Sequence, residues 1–429
     1  MTYVPEQSQY CQGAAEATKN HTAKMASHTL FRSAVLIAVC LALLLSDVAG
    51  SNKHTKKLAQ DLLSDVAGSN SSSTRQYTFD SHLPARLQWL PNEYVHSTPH
   101  IMNILLHNSN VAQSHFLFFP TGSLIYRGYC GEVSLIMACL RLGGCYYSQY
   151  DARQISTTVD SQVSKFYLVG VNDQHASKLL RLTFEEFDNA NPVTDPKRYL
   201  SWVKKMTRAG AAVTITVFMN EYMFYGRTDK TSGEADYDHI VSVSRIESDY
   251  DDDLYHDDDL VTMEDHGLYA PGHNPIYLFT YSMRDFIGTR EHANSQTAGN
   301  VYSIPECDSG NFGIAHFGII DADGDTLPIL LETNVNYESP HIRNKSEDRP
   351  DSMEIVLTVT VSGLEDGVQY KLYKYNDETL VPSSAFNANS AKVAISTLDI
   401  TSSTGSYKLT ETIQSSDKVI YRCVRADAK

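Results

Sequence analysis

The sequence predicts an α+β domain followed by a small all-β sandwich. Three observations carry that reading. Val133, Ile136, Met137 and Leu140 recur at i, i+3, i+4 and i+7, the spacing of one buried helix face near the start of the foldable chain. Helix-type segments give way after Gly210 to a run of strand-type segments, the order of an α+β domain. Beyond Met353 the chain is nearly all alternating strand, punctuated by Gly363, Gly367, Asn376-Asp377 and Gly405, as in a β-sandwich.

In chain order, residues 1–32 are polar and carry no folding pattern. Ser33 to Leu45 is a small and apolar run after Arg32, followed by Ser46-Asp47-Val48-Ala49-Gly50. It is shorter than the about 20 apolar residues a membrane span needs, and its exit is rich in small residues. Residues 1–50 therefore read as a secretory signal peptide with a long n-region, which a start at Met25 would shorten. The alternative is an uncleaved signal anchor. Leu-Leu-Ser-Asp-Val-Ala-Gly-Ser-Asn stands at 44–52 and again at 62–70, a local duplication of the cleavage region. Residues 51–76, rich in Ser, Asn and Lys, read as a flexible linker. On a secreted chain Asn70 and Asn344 are glycosylation acceptors, each in an Asn-x-Ser sequon.

The first domain is expected over 77–342. Phe116 to Phe119 reads as a buried strand, and Gly143-Gly144 stops the Val133 helix. Gln149–Gln154 reads as helix and 161–171 as a short strand. Ala176–Asp188 and Pro196–Ala209 read as helices, the second with Pro at its start and Gly210 at its end. Strands follow at 211–218, 238–246, 260–263 and 276–279, then a hairpin of 312–321 with 326–333 around Ala322-Asp323-Gly324. Arg343 to Ser352 reads as a domain boundary, and 353–429 as the sandwich.

The totals narrow the function. With 429 residues, 42% of them hydrophobic, the chain can build two or three cores. A formal charge of −16 without clustered Lys and Arg excludes nucleic acid as partner. Much of the acid is local, in Asp251-Asp252-Asp253 and Asp257-Asp258-Asp259, which read as a solvated loop. Of seven cysteines, Cys11 and Cys40 lie in the segment expected to be removed. The five that remain suit one free thiol and up to two disulfides in a secreted protein, or five reduced thiols otherwise.

Cys130 carries the chemistry. It stands in Gly128-Tyr129-Cys130-Gly131-Glu132, directly before the helix. At a helix N-terminus the unpaired backbone N–H groups and the positive dipole end favour a thiolate. A structural cysteine is the competing reading. A nucleophilic thiol also needs a base and a group to orient it. Among 16 histidines, His239 stands out because it opens a buried strand, Asp238-His239-Ile240-Val241-Ser242-Val243. A histidine satisfied within a core is the bland alternative.

An early Cys at a helix start, then about a hundred residues, then a His at a strand head is the order of papain-like cysteine peptidases. Tyr129-Cys130-Gly131-Glu132-Val133-Ser134-Leu135 resembles the Cys-Gly-Pro-Ala-Ser-Leu type motif of the branch holding the double-glycine-leader, bacteriocin-processing peptidases. Asp238 to Val243 resembles that branch's His-hydrophobic-Val-Val strand, and phytochelatin synthase carries a similar Tyr-Cys-Gly-x-x-Ser-Leu. The resemblance spans about residues 85–340, and the C-terminal region resembles a fibronectin type III module. It implies a Cys130, His239, Asp265 triad, with Asp265 after the strand 260–263, Glu264 as second choice, and Asn334 as alternative third member by analogy with the papain asparagine. It also implies an oxyanion Gln before the Cys, where this chain has Leu124; Gln113, Ser123 or Thr121 would have to serve.

The expected function is thus a secreted thiol hydrolase acting on a peptide or protein, with no cofactor. A catalytically inactive papain-like binding protein and an acyl or peptidyl transferase are the alternatives. The 222–238 and 265–311 insertions would shape the cleft. No metal site is expected. Asp321-Ala322-Asp323-Gly324-Asp325 with Glu332 resembles a calcium loop, but Thr326 replaces the glycine at position six. His256 and His266 in the acidic run are an unspecific cation pattern. There is no phosphate loop, HExxH or CxxC.

Overall fold

The structure is a computed structural model. It describes residues 75–80, 130–156, 167–187, 195–222, 228–233, 237–264, 278–296, 300–306, 310–334, 354–414 and 416–427. The fold is mixed helix and sheet, with largely antiparallel sheets.

After strand β1 (Tyr77–Asp80), helix α1 (Cys130–Ala138) runs into a π-helical turn, Cys139–Gly143. Gly144 ends the turn at φ 55°, the left-handed region open to glycine, and its N–H donates to Cys139 O. Strand β2 (Cys145–Tyr146), α2 (Gln149–Ser156), α3 (Asp173–Leu179), β3 (Leu182–Glu186) and α4 (Pro196–Arg208) follow. Helix α4 begins as its sequence requires: Pro196 is in the first turn and the Asp195 carboxylate accepts the Lys197 N–H at 3.0 Å.

Among the described residues a nine-stranded sheet forms the centre, with the order β3-β10-β4-β5-β6-β7 along its main path. Its strands are β4 (Ala212–Met219), β5 (His239–Ser248), β6 (Leu260–Glu264), β7 (Leu278–Ser282), β8 (Ile287–Gly288), β9 (Tyr302–Pro305) and β10 (Gly313–Ile319). β1 pairs with the far end of β5, and β9 with the end of β4. Every residue of β4 is buried, which its β-branched, apolar composition requires. One face of β4 (Val213, Ile215, Val217) joins Tyr199, Leu200 and Val203 of α4 in one core.

Three expectations are corrected. The helix expected over 176–188 stops at Leu179: Arg181 turns into the left-handed region at φ 58°, and 182–186 pairs with β10 as β3. Of the strand expected over 161–171, the described part forms no strand: 169–171 is turn, after an irregular 167–168. The hairpin of 312–333 does not form. β10 pairs with β3 and β4, whereas β11 (Ile329–Thr333) pairs with β12 (Glu354–Ser362). The Phe116–Phe119 strand lies outside the described residues.

The C-terminal sandwich has a three-stranded sheet, β11-β12-β15, and a four-stranded one, β14-β13-β16-β2. Its later strands are β13 (Gln369–Tyr375), β14 (Ser396–Thr401), β15 (Ser406–Gln414) and β16 (Val419–Arg425). Ile355, Leu357, Val359 and Val361 alternate inward along β12. β2 and β11 thus reach the sandwich from before the expected 343–352 boundary. Its core is continuous with that of α1, where Val133, Leu135, Ile136 and Met137 are fully buried. Each such side chain contributes about 1.5–3 kcal/mol by leaving water.

Candidate functional site

Cys130 is the first residue of α1, a partly exposed free thiol. The residues after it dock the helix. A Cβ on Gly131 would lie 2.4 Å from Tyr167 O and 3.1 Å from Ile240 Cδ1, so only glycine fits between the 167 backbone and β5. Glu132 is 1% exposed, and its Oε1 accepts from Arg153 Nε at 2.8 Å and from the Tyr167 N–H at 3.0 Å. Farther on, Met137 Sδ meets Ser242 Oγ at 3.9 Å. Gly131 against Ile240 and Met137 against Ser242 lay α1 along β5, with Cys130 at the end where β5 begins.

That strand head is tightly held. The Asp238 N–H donates to Val217 O at 3.1 Å, and its Oδ2 accepts the Met219 N–H at 2.8 Å. Arg290 donates to Asp238 and to Met219 O, bonds Asn294 Oδ1 at 2.8 Å, and lies 4.4 Å over the Phe218 ring. Tyr237 faces the α1 core, its hydroxyl donating to Val169 O at 3.1 Å and its ring meeting Phe312 edge to face, with the centroids 5.8 Å apart.

The register decides which side chains meet α1. Neighbouring strand residues point to opposite faces. Ile240 and Ser242 face the helix, so His239, Val241 and Val243 face the α4 core, opposite Val217, Ile215 and Val213. The His239 ring is 3% exposed and stacks on Tyr302 at 5.6 Å. The motif stretches 130–137 and 238–242 therefore come together, while the His239 ring itself is turned to Tyr302. Glu264 pairs with Ser242 across β5 and β6, on the face that α1 covers.

Asp265, Gln113, Ser123, Thr121, Leu124, Asn70, Asn344, Cys307 and His266 lie outside the described residues. Asn334 is taken up by the sandwich: its N–H donates to Val356 O at 3.2 Å and its Oδ1 accepts the Val356 N–H at 2.9 Å. The calcium-like stretch is a turn whose acids hold protein donors. Asp321 Oδ2 accepts from Thr326 N at 2.8 Å and Oγ1 at 2.7 Å, and Asp323 Oδ2 from Ala385 N at 2.7 Å.

Sequence reasoning passed over two clusters. The acid triplets are not simply a solvated loop. Lys204 Nζ, on α4 and fully buried, bonds Asp259 Oδ2 at 2.8 Å, Leu254 O at 3.0 Å, Ser248 Oγ at 3.1 Å and Asp252 Oδ1 at 3.3 Å. His256 bonds Asp252 at 3.0 Å and stacks on Tyr250. A lysine reads as solvent-facing unless its partners are known, and these lie about fifty residues away. The second cluster borders a cavity of about 460 Å³ beside Phe312, lined also by Asp173, His175, Lys178 and Glu186. Burial, with Glu186 alongside, pushes the Asp173 carboxyl up to about 7. Behind it His316 Nε2 lies 2.9 Å from Ser177 Oγ, and burial pushes this histidine down to about 4.

No family model, curated protein or solved structure matches this chain.

Proposed function

We propose that residues 77–342 work as a papain-like thiol hydrolase, most simply a peptidase, with Cys130 as nucleophile. The observation that carries this reading is the docking of α1's N-terminal end on the head of the His239 strand, Gly131 against Ile240. In this scheme the Cys130 thiolate attacks a substrate carbonyl carbon, and the developing oxyanion takes the Cys130 backbone N–H as one donor. The second donor would be Gln113 or Ser123. His239 takes the thiol proton and delivers it to the leaving amine, with Asp265 holding its tautomer. Water then releases the acyl group; an amine acceptor in its place would make the protein a transferase. In the structure the His239 ring lies on Tyr302, on the face of β5 away from α1, so this scheme requires the ring to leave Tyr302 and reach the α1 face. The substrate is a peptide or protein, met after secretion, or at a membrane surface where the signal segment is retained.

Labelling with iodoacetamide at pH 6.5 tests the reading. The intact chain is expected to label at Cys130, Cys130→Ala to abolish that labelling, and His239→Ala to slow it about tenfold or more, because the base supplies the thiolate. A His239→Ala chain that labels at the unchanged rate would overturn the dyad.

A second reading, a non-catalytic binding protein on the same scaffold, is favoured by the burial of His239 against Tyr302 on the face away from α1. It expects that unchanged rate, and no cleavage of a broad peptide library by the mature chain.

A further inference from the structure

Two thiols outside the proposed catalytic site stand together at the opposite end of α1. Cys139 opens the π-helical turn and Cys145 opens β2; both are fully buried. The Cys145 thiol donates to Cys139 O, with Sγ 4.0 Å from that oxygen. Gly143 keeps the space between them clear: a Cβ there would lie 3.0 Å from Cys145 Sγ and 3.7 Å from Cys139 Cβ. The turn that brings them together is closed by the Gly144 N–H to Cys139 O bond.

We propose that Cys139 and Cys145 form a disulfide that staples the end of α1 to the sandwich. β2 is the edge strand of the sandwich, with Cys145 opposite Ile420, and Arg422 donates to Gly143 O at 2.8 Å from the neighbouring strand. A bond between the two sulfurs therefore ties α1 to a sheet built largely from residues more than two hundred positions later. Burial raises the Cys139 thiol well above its ordinary range. Thiol exchange needs a thiolate, so oxidation belongs to the stage before the turn is enclosed, and the finished bond is shielded from reductant. The oxidant is a small-molecule or protein disulfide, such as oxidised glutathione. One cysteine thiolate attacks it and forms a mixed disulfide, releasing one thiol. The second cysteine thiolate displaces the other. Two protons leave the cysteines, one S–S bond forms, and the two electrons reduce the incoming disulfide to two thiols.

Peptide mapping tests the proposal. The full chain is refolded with reduced and oxidised glutathione, denatured in iodoacetamide and digested with trypsin, which cuts after Arg141. The expected result is the peptide 128–141, alkylated at Cys130 alone, linked through Cys139 to the peptide 142–153 that carries Cys145, the two separating on reduction. Alkylation of both cysteines at every glutathione ratio, or linkage of either to Cys130, Cys307 or Cys423, would overturn it. Refolding of Cys130→Ser in parallel removes the other thiol of the Cys139 tryptic peptide and is expected to leave the linkage in place.

Discussion

Replacing Lys204 by Met is expected to unfold the acidic loop and to cost the protein more stability than any exposed ion pair contributes. The Lys204 ammonium and Asp259 carboxylate are both fully buried and 2.8 Å apart. At an effective dielectric of about 20 their attraction is about 6 kcal/mol. Most of that offsets the desolvation of the two charges, so the pair's net worth is small. Removing one partner is different, since Asp259 would remain buried with no cation, which costs about 3–5 kcal/mol. The exposed Arg208–Asp251 pair beside it supplies the contrast; Arg208→Ala should change stability by about 1 kcal/mol or less. Urea unfolding followed by the fluorescence of the two tryptophans, Trp89 and Trp202, gives both values. A double variant, Lys204→Met with Asp259→Leu, should recover at least half of the loss because no charge stays buried. A Lys204→Met loss below about 1 kcal/mol, or a double variant whose losses simply add, would refute the argument. The loop joins β5 to β6, the strands expected to present His239 and Asp265, so its loosening should also slow Cys130 labelling.

Two further outcomes follow from single positions. Gly131→Ala would drive a Cβ into the backbone carbonyl of Tyr167, a contact that cannot yield by a rotamer change; a loss of about 1–3 kcal/mol, read by urea midpoint, is expected from such overpacking. The His316 and Asp173 shifts act on stability with opposite sign. His316, pushed down to about 4, folds best uncharged, so its contribution is complete above about 6.5 and is lost as pH falls towards 4. Asp173, pushed up to about 7, folds best protonated, so its contribution is complete below about 4 and is lost as pH rises towards 7. Thermal midpoints between pH 4 and 7 should fall less steeply on the acid side in His316→Gln and less steeply on the neutral side in Asp173→Asn; identical profiles in the variants and the parent would contradict the assignments.

The local grammar of the chain was legible where packing agrees with it. The buried helix through Val133, the Pro196 start of α4 and the alternation of β12 appear as read, although the α-helix ends at Ala138 and Leu140 falls in the π-helical turn. The failures are non-local. Leu182–Glu186 has helix-compatible residues, and only the waiting edge of β10 makes it a strand. Ile329–Thr333 looks like the return arm of a hairpin, yet pairs more than twenty residues downstream. The face of His239 depended on which neighbour α1 would cover. Ile240 and Ser242 took that place, with Val241 and Val243 left to the α4 core.

The sandwich is therefore part of what places Cys130, under either functional reading. Its strands supply much of the core that buries α1, and the Tyr421 N–H donates to Gly144 O at 2.8 Å just past the π-helical turn. At the other end Glu132 fixes the first turn to Tyr167 and Arg153. A nine-residue helix has too few internal bonds to hold its own axis, so these two anchors set where its N-terminus points. The thiol's position relative to β5 is a property of both halves of the chain. An appended recognition module could be exchanged without consequence for the site; this sandwich could not.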